Sequence, residues 1–513
     1  MKFFINNSSP RKPCIIQCFR GLMLSCFNFV VKVDPFWIQL FYFVILSLVG
    51  FVALKITASF TPKGIDVLFT SVSAVTVSSM STLEMEVFSN TQLIFMTILM
   101  LLGGEVFVSM LGLFLASFTT KEESQTMIDA FEMDYISSNE LTQKSKNMVE
   151  IRTTSIEHDK KLKLKSIKVL GYVILCYLLA VHLIGSALIS IYLSLVEDAG
   201  QVLKKKGLKM LTFSLFTTVS TFTNCGFVPT NENMIIFKRN SGLLLILIPQ
   251  ILLGNTLYPV CLRSILWFLE KNTKKVEFNF MLQCSNEIGY SHLLPGRHSV
   301  LLATTVVGFV FIQLVLFCAL EWSSEATAGL NGYQKFIGSL FEVVNSRHTG
   351  ESVFDLSLLS SAILVVFIVM MYLPPYTSFL PIEDDDKVSL RREGKSRKGR
   401  KSFIDYLLFS PLSYLVIFIV LICITERSKI TKDQLNFNVL NIALEVFSAY
   451  GNVGFSTGYS CSKQIHSDKY CKDAMYGFAG RWSDEGKIIL IIVMFFGRLK
   501  KFSMRGGQAW KLL

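Results

Sequence analysis

Long apolar runs alternate with short polar segments along the whole chain. Eight of the runs are long enough to cross a bilayer, which takes roughly 20 residues in a helix. They fall at about 35–56, 91–118, 167–195, 236–268, 299–320, 356–380, 403–425 and 486–505. The runs come in pairs, and each pair encloses a segment of small, hydroxyl-bearing or glycine-containing sequence. These segments are FTSVSAVTVSSMST (Phe69 to Thr82), FTTVSTFTNCGF (Phe216 to Phe227), FEVVNSRHTGES (Phe341 to Ser352) and EVFSAYGNVGFSTG (Glu445 to Gly458). The first two share the pattern T-x-V-S-x-x-T, over Thr70 to Thr76 and Thr217 to Thr223, and the last three carry glycine at a matching point. Irregular backbone at membrane depth is tolerated where it lines a water-filled or ion-filled space. Four such segments predict an all-α polytopic membrane protein, with four helix–loop–helix units around one central pore that conducts cations.

The expected organisation follows from that threading. A cytoplasmic arm (1–33) precedes unit A (34–118), a cytoplasmic loop (119–165), unit B (166–269) and a second loop (270–298). Unit C (299–380), a basic loop (381–402) and unit D with a short cytoplasmic C-terminus (403–513) complete it.

Composition strengthens the membrane reading. The chain is 51% hydrophobic and only 17% charged, against about 25% charged in soluble domains. The net charge of +12 invites nucleic acid as a partner, but its distribution argues otherwise. Lys and Arg gather in the N-terminal arm and in 144–168, 271–275 and 387–401, which fall on one side when eight spans are threaded. That is the positive-inside pattern, and it puts both termini in the cytoplasm. The run Lys387 to Lys401 suits a solvated loop or anionic lipid. Lys204, Lys205, Lys206 and Lys209 are the exception, on the predicted outer side. No cleavable signal is expected, and the sequon at Asn7 lies in the cytoplasmic arm. Cys461 and Cys471 flank a polar outer stretch and are candidates for a disulfide; a zinc site through His466 lacks a fourth ligand.

Each polar segment is expected to hold a short descending helix and then an extended stretch whose carbonyls face the axis. Glycine suits that stretch because it takes φ > 0 without a Cβ clash, and a dehydrated cation can exchange water for carbonyl oxygens there. The residues placed at this ring are Ser81, Gly226, Gly350 and Gly454.

With these residues in hand, the chain resembles the plant high-affinity potassium transporter (HKT) family, within the wider superfamily of Trk and Ktr transporters. The resemblance runs from about Phe36 to Leu512. It is carried by TVSSMSTLEMEVFSNTQLIF from Thr76, CGFVPTNENMIIF from Cys225, NSRHTGES from Asn345, MMYLPPYTSF from Met370, AYGNVGFSTGYSC from Ala449 and YGFAGRW from Tyr476. It implies four membrane-pore-membrane units around one path, a homodimer, a plasma-membrane location and no cofactor beyond the transported ion. In that family serine at the first filter position goes with sodium, and glycine with potassium alongside sodium. Ser81 therefore implies the sodium-selective subfamily, with retrieval of sodium from the xylem and a part in salt tolerance. Asn224 and Asn255 stand where some members carry a carboxylate that goes with more potassium transport, so they are candidate tuning residues. Arg498 matches an arginine that opposes cations below the filter. Lys500 and Lys501 are expected to snorkel to the inner interface, and Arg347 to pair with Glu342 or Glu351. Glu84 and Glu86 are expected to lend negative potential to the outer vestibule, and Pro374–Pro375 to end the sixth span.

Other classes fit less well. A membrane enzyme or receptor needs convergent nucleophiles, metal ligands or a folded soluble domain, and the chain has no HExxH, phosphate loop or paired His/Asp set. A sodium–potassium symporter or potassium transporter of the same fold is the main alternative, and a regulatory subunit with a dead pore is another.

Overall fold

The computed structural model describes residues 35–58, 61–115, 143–377, 411–464 and 471–503. The N-terminal arm with Asn7, the basic run Lys387 to Lys401, His466 and the tail beyond 503 lie outside the described residues.

The helices that frame the centre are α1 (Pro35–Ile56), α2 (Gly64–Thr76), α3 (Asn90–Gly103) with α4 (Glu105–Leu115), and α5 (Gln143–Leu195). They continue as α6 (Met210–Thr223), α7 (Ser241–Leu253), α8 (Tyr258–Thr273), α9 (Gly296–Glu321), α10 (Gly332–Asn345) and α11 (Ser361–Tyr372). Last come α12 (Pro411–Thr425), α13 (Val439–Gly451) and α14 (Asp484–Ser503). No strand occurs among the described residues beyond one isolated bridge, Tyr459 to Ala474. By length and apolar composition three helices can span a membrane alone, or five if each bent pair is one span. Their large apolar side chains face outward, as Phe41, Leu183 and Phe311 do, which suits a lipid solvent rather than water.

The short helices α2, α6, α10 and α13 are the inner layer, and their C-terminal halves are buried. Many of their hydroxyls do not face a pore. Thr70 donates to Asp66 O at 2.9 Å, Thr76 to Val72 O at 2.8 Å, Thr223 to Val219 O at 2.8 Å and Ser339 to Lys335 O at 2.7 Å. Such i−4 bonds let hydroxyls sit in an apolar helix at little cost. Each short helix also packs on the second helix of the preceding unit: α6 on α3, α10 on α7, α13 on α11, and α2 on α14. The series closes on itself. The A–B–C–D order around one axis therefore follows from packing alone.

Two differences from the sequence expectation stand out. The cytoplasmic loop expected over 119–165 is helical from Gln143, continuous with the span in α5; its Lys- and Glu-rich composition favours helix as readily as loop. The second spans of units A and B are bent, by 55° between α3 and α4 and by 81° between α7 and α8.

Candidate functional site

The inner helices end in one repeated way. α2, α6 and α13 are each followed by a left-handed residue: Val77 (φ 50°), Asn224 (φ 59°) and Asn452 (φ 48°). The next amide turns back to the helix, from Ser78 to Ser73 O, Cys225 to Ser220 O and Val453 to Ser448 O, at 2.9, 2.9 and 3.0 Å. Two residues beyond the cap the backbone is left-handed again, at Ser79 (φ 52°), Gly226 (φ 85°) and Gly454 (φ 104°). Gly350 (φ 70°) supplies the fourth such position, after a longer turn that leaves α10 through Ser346.

This register corrects the sequence reading. Ser79, not Ser81, is the counterpart of the three glycines. Ser81 lies two residues further along and donates its hydroxyl to Leu83 O at 2.6 Å. The four residues abut in a ring. A methyl placed on Gly226 would come within 1.6 Å of Thr349 O and 3.2 Å of Ser79 Oγ. One on Gly350 would meet Val453 O at 2.2 Å, and one on Gly454 would meet Ser79 Cβ at 2.2 Å. Ser79, Gly226, Gly350 and Gly454 line a single cavity, whose wall continues outward through Ser81 and Asn231. The helices ending behind this ring turn their C-terminal partial negative charge towards it, about half an electron each in a full dipole. The arrangement is suited to a cation.

The crossing of each second helix behind the ring also repeats. Gly103, Gly254 and Gly497 each lie so close to a pore-helix carbonyl that a Cβ would come within 2.0, 1.8 and 2.0 Å of Val75 O, Phe222 O and Tyr450 O. In units A, B and D the glycine contacts the residue two before the cap. In units A and B the second helix also breaks there.

Unit C departs from the pattern. Its second helix, α11, stops at Tyr372 before Pro374 and Pro375. Arg347 was expected to pair with Glu342 or Glu351. Instead its Nη2 donates to Pro374 O at 2.6 Å and Pro375 O at 3.2 Å, with the guanidinium over the Phe309 ring. The carboxylates serve the loop itself. Glu342 accepts from the amides of Val353 (2.8 Å) and Phe354 (3.3 Å) and from Ser352 (3.2 Å), while Glu351 accepts from Thr221 at 2.5 Å. The loop backbone needs acceptors, and a buried carboxylate is more costly without such donors.

Asn224 is the cap of α6; its Nδ2 donates to Thr349 Oγ1 at 2.8 Å and Ile251 O at 3.3 Å. Asn255 lies buried in the break between α7 and α8. Neither lines the ring cavity. Arg498 is buried at 1% exposure, bonded to Gly103 O and lying over Phe43, and it too is outside that cavity. Lys500 does not snorkel: its Nζ donates to Tyr450 Oη at 2.5 Å. The side chain of Lys501 lies outside the described residues.

Of the four exceptional lysines, Lys206 has a defined place beyond the ring. Lys206 Nζ bonds Glu86 at 2.6 Å and Glu232 at 2.8 Å, joining the segments that follow the ring in units A and B. Partial burial works against its charge, but the hydrogen bonds it donates to Glu232 and Glu86 outweigh that and raise its pKa above the ordinary lysine value. One cation shared by two carboxylates offsets only part of the negative potential expected of Glu84 and Glu86. Replacing Lys206 by Met unmasks two carboxylates at the mouth. Inward cation current at low ionic strength should rise about two- to threefold and return to the parent value at high salt, because surface fields are screened there. Currents measured across an ionic-strength series check this. Cys461 and Cys471 are joined in a disulfide with Cα atoms 5.9 Å apart.

Comparison with known proteins shows the family. A family model described as TrkH, cation transport protein, matches residues 132–380 and 399–505. Cation transporter HKT1;3 of Oryza sativa subsp. japonica is 51% identical over 497 residues, covering 95% of this chain and 93% of that one. Sodium transporter HKT1 of Arabidopsis thaliana is 54% identical over 467 residues, covering 90% and 92%. The crystal structure of the potassium transporter TrkH from Vibrio parahaemolyticus shares the fold at a TM-score of 0.52 and 14% identity, over 92% of this chain and 84% of that one. The chain is an integral membrane cation transporter of the TrkH/HKT family, a channel-like protein and not an enzyme.

Proposed function

We propose that this chain passes sodium passively across the plasma membrane through the ring of Ser79, Gly226, Gly350 and Gly454. The observation that carries the reading is the serine in the ring. Three positions are glycine, whereas the fourth sets a Cβ against Gly454 and a hydroxyl beside Gly226. The opening is narrower on that side than four glycines would leave it, and the hydroxyl adds an oxygen ligand. Both effects favour the smaller, more tightly coordinated ion. Two neutral amides, Asn224 and Asn255, stand near the ring where a carboxylate would deepen the field. The similarity to a sodium transporter of Arabidopsis thaliana at 54% identity points the same way. Arg498, with its charge buried beside the break at Gly103 and outside the ring cavity, adds a positive barrier on the cytoplasmic side of the ring, suited to modest flux. The distribution of Lys and Arg supports cytoplasmic termini. Pairing as a homodimer and retrieval of sodium from the xylem extend the family resemblance.

The test is tracer uptake by the full chain in sealed proteoliposomes with no energy source. Sodium should enter down its gradient and be driven by an inside-negative potential. Uptake that requires potassium on the same side would replace this reading with a symporter.

A further inference from the structure

We propose that Asn452 is a positioning residue for the ring, holding Ser79 in its left-handed conformation through Ser78 and so helping to set the ion preference. The inference rests on the reading of the ring as the ion filter. Asn452 caps α13 in unit D, but its amide reaches across the seam into unit A. Its Nδ2 lies 2.8 Å from Ser78 Oγ, 3.3 Å from Ala449 O and 3.2 Å from Met494 O. Two of these partners are carbonyls, which only accept, so the amide nitrogen and not its oxygen must sit there.

The direction of the remaining protons follows. Ser78 Oγ accepts from Asn452 and lies 2.8 Å from Thr76 Oγ1. Thr76 donates its own proton to Val72 O at 2.8 Å, so it must accept the Ser78 proton. A one-way chain results, from the Asn452 amide through Ser78 and Thr76 to a carbonyl of α2. Every hydroxyl in it is buried. It clamps the residue immediately before Ser79.

Ser79 needs such a clamp. A non-glycine residue at φ 52° is strained by about 1–2 kcal/mol, and strain of this kind persists only where the surroundings over-determine the backbone. The clamp also stands at the right seam, where Gly454 of unit D faces Ser79 Cβ. Asn224 makes the corresponding reach from unit B to Thr349 of unit C. The caps of the other two units are Val77 and Ser346, which carry no amide side chain. Amide braces therefore close two opposite seams of the ring, and the one at the D–A seam bears on the serine.

The experiment is the potassium-to-sodium permeability ratio, from reversal potentials in oocytes, for Asn452→Ala, Ser78→Ala, the double variant and Ser79→Gly. Each single change should raise the ratio by about three- to tenfold, the range one buried hydrogen bond is worth. The double variant should go no further than the larger single one, because both break the same chain. A residue that merely holds the fold together would lower surface expression and leave the ratio of the surviving current unchanged. If Asn452→Ala fails to reach the surface, Ser78→Ala alone decides, since it removes one oxygen. Parent-like ratios, or independent effects in the double variant, overturn the inference while a shifted Ser79→Gly leaves the filter reading standing. No shift in Ser79→Gly would instead overturn the filter reading beneath it.

Discussion

Ser79→Gly should admit potassium, raising the potassium-to-sodium permeability ratio by about tenfold or more, equivalent to ~1.4 kcal/mol between the two ions. Two consequences of the substitution act together. Removing Cβ clears the space opposite Gly454, where a methyl on the glycine would lie 2.2 Å from the serine Cβ, so the ring can widen on that side. Glycine also accepts the left-handed backbone at φ 52° without strain, so the change should not reduce the amount of protein at the surface. Ser81→Gly is the matched control. Its hydroxyl bonds Leu83 O rather than standing in the ring, so its reversal potentials should stay with the parent in every mixture of sodium and potassium. A shift in Ser81→Gly with none in Ser79→Gly would return the ring to the register first read from the sequence.

Gly226→Ala should abolish transport. The added methyl would fall 1.6 Å from Thr349 O, and a backbone carbonyl of the neighbouring loop has no rotamer by which to move aside. Alanine at φ 85° adds conformational strain to that overlap. Together these terms amount to about 2–5 kcal/mol, enough to force the ring apart or prevent its assembly. Tracer uptake should fall to background with the protein still detectable in the membrane. Gly289→Ala is the useful comparison, because that glycine has φ 74° but nothing within 4 Å of an added methyl; it isolates strain from overlap and should retain most of the uptake.

Much of the architecture was legible in the apolar runs, since all eight contain a helix among the described residues. Length of run says little about where a span bends, however. The breaks at Gly104 and around Gly254 to Leu257 depend on the close approach of pore-helix carbonyls to Gly103 and Gly254, which only tertiary packing reveals. The ring register was within reach of the sequence. The T-x-V-S-x-x-T pattern aligns Thr76 with Thr223, and three residues on from each stand Ser79 and Gly226. The first segment carries serine at both 79 and 81, so residue type alone does not choose between them.

Charged residues were harder to place. Arg347 has two carboxylates close by in sequence, yet it binds the carbonyls of Pro374 and Pro375. Glu342 and Glu351 are taken by donors of the loops. Lys206 likewise meets Glu86 across 120 residues of chain. Spacing along a helix predicts neighbours at three and four residues; it has no reach across units. The amide chain from Asn452 to Ser78, 374 residues apart, was beyond any local pattern.

The measurement that bears most directly on the ring as a sodium filter is the reversal potential of the parent protein under voltage clamp, with external sodium and potassium varied separately. The potential should move by about 59 mV for each tenfold change in sodium and stay fixed when potassium is changed at constant sodium. A potential that follows potassium with a comparable slope would contradict the account, since the ring would then pass the larger ion with Ser79 in place.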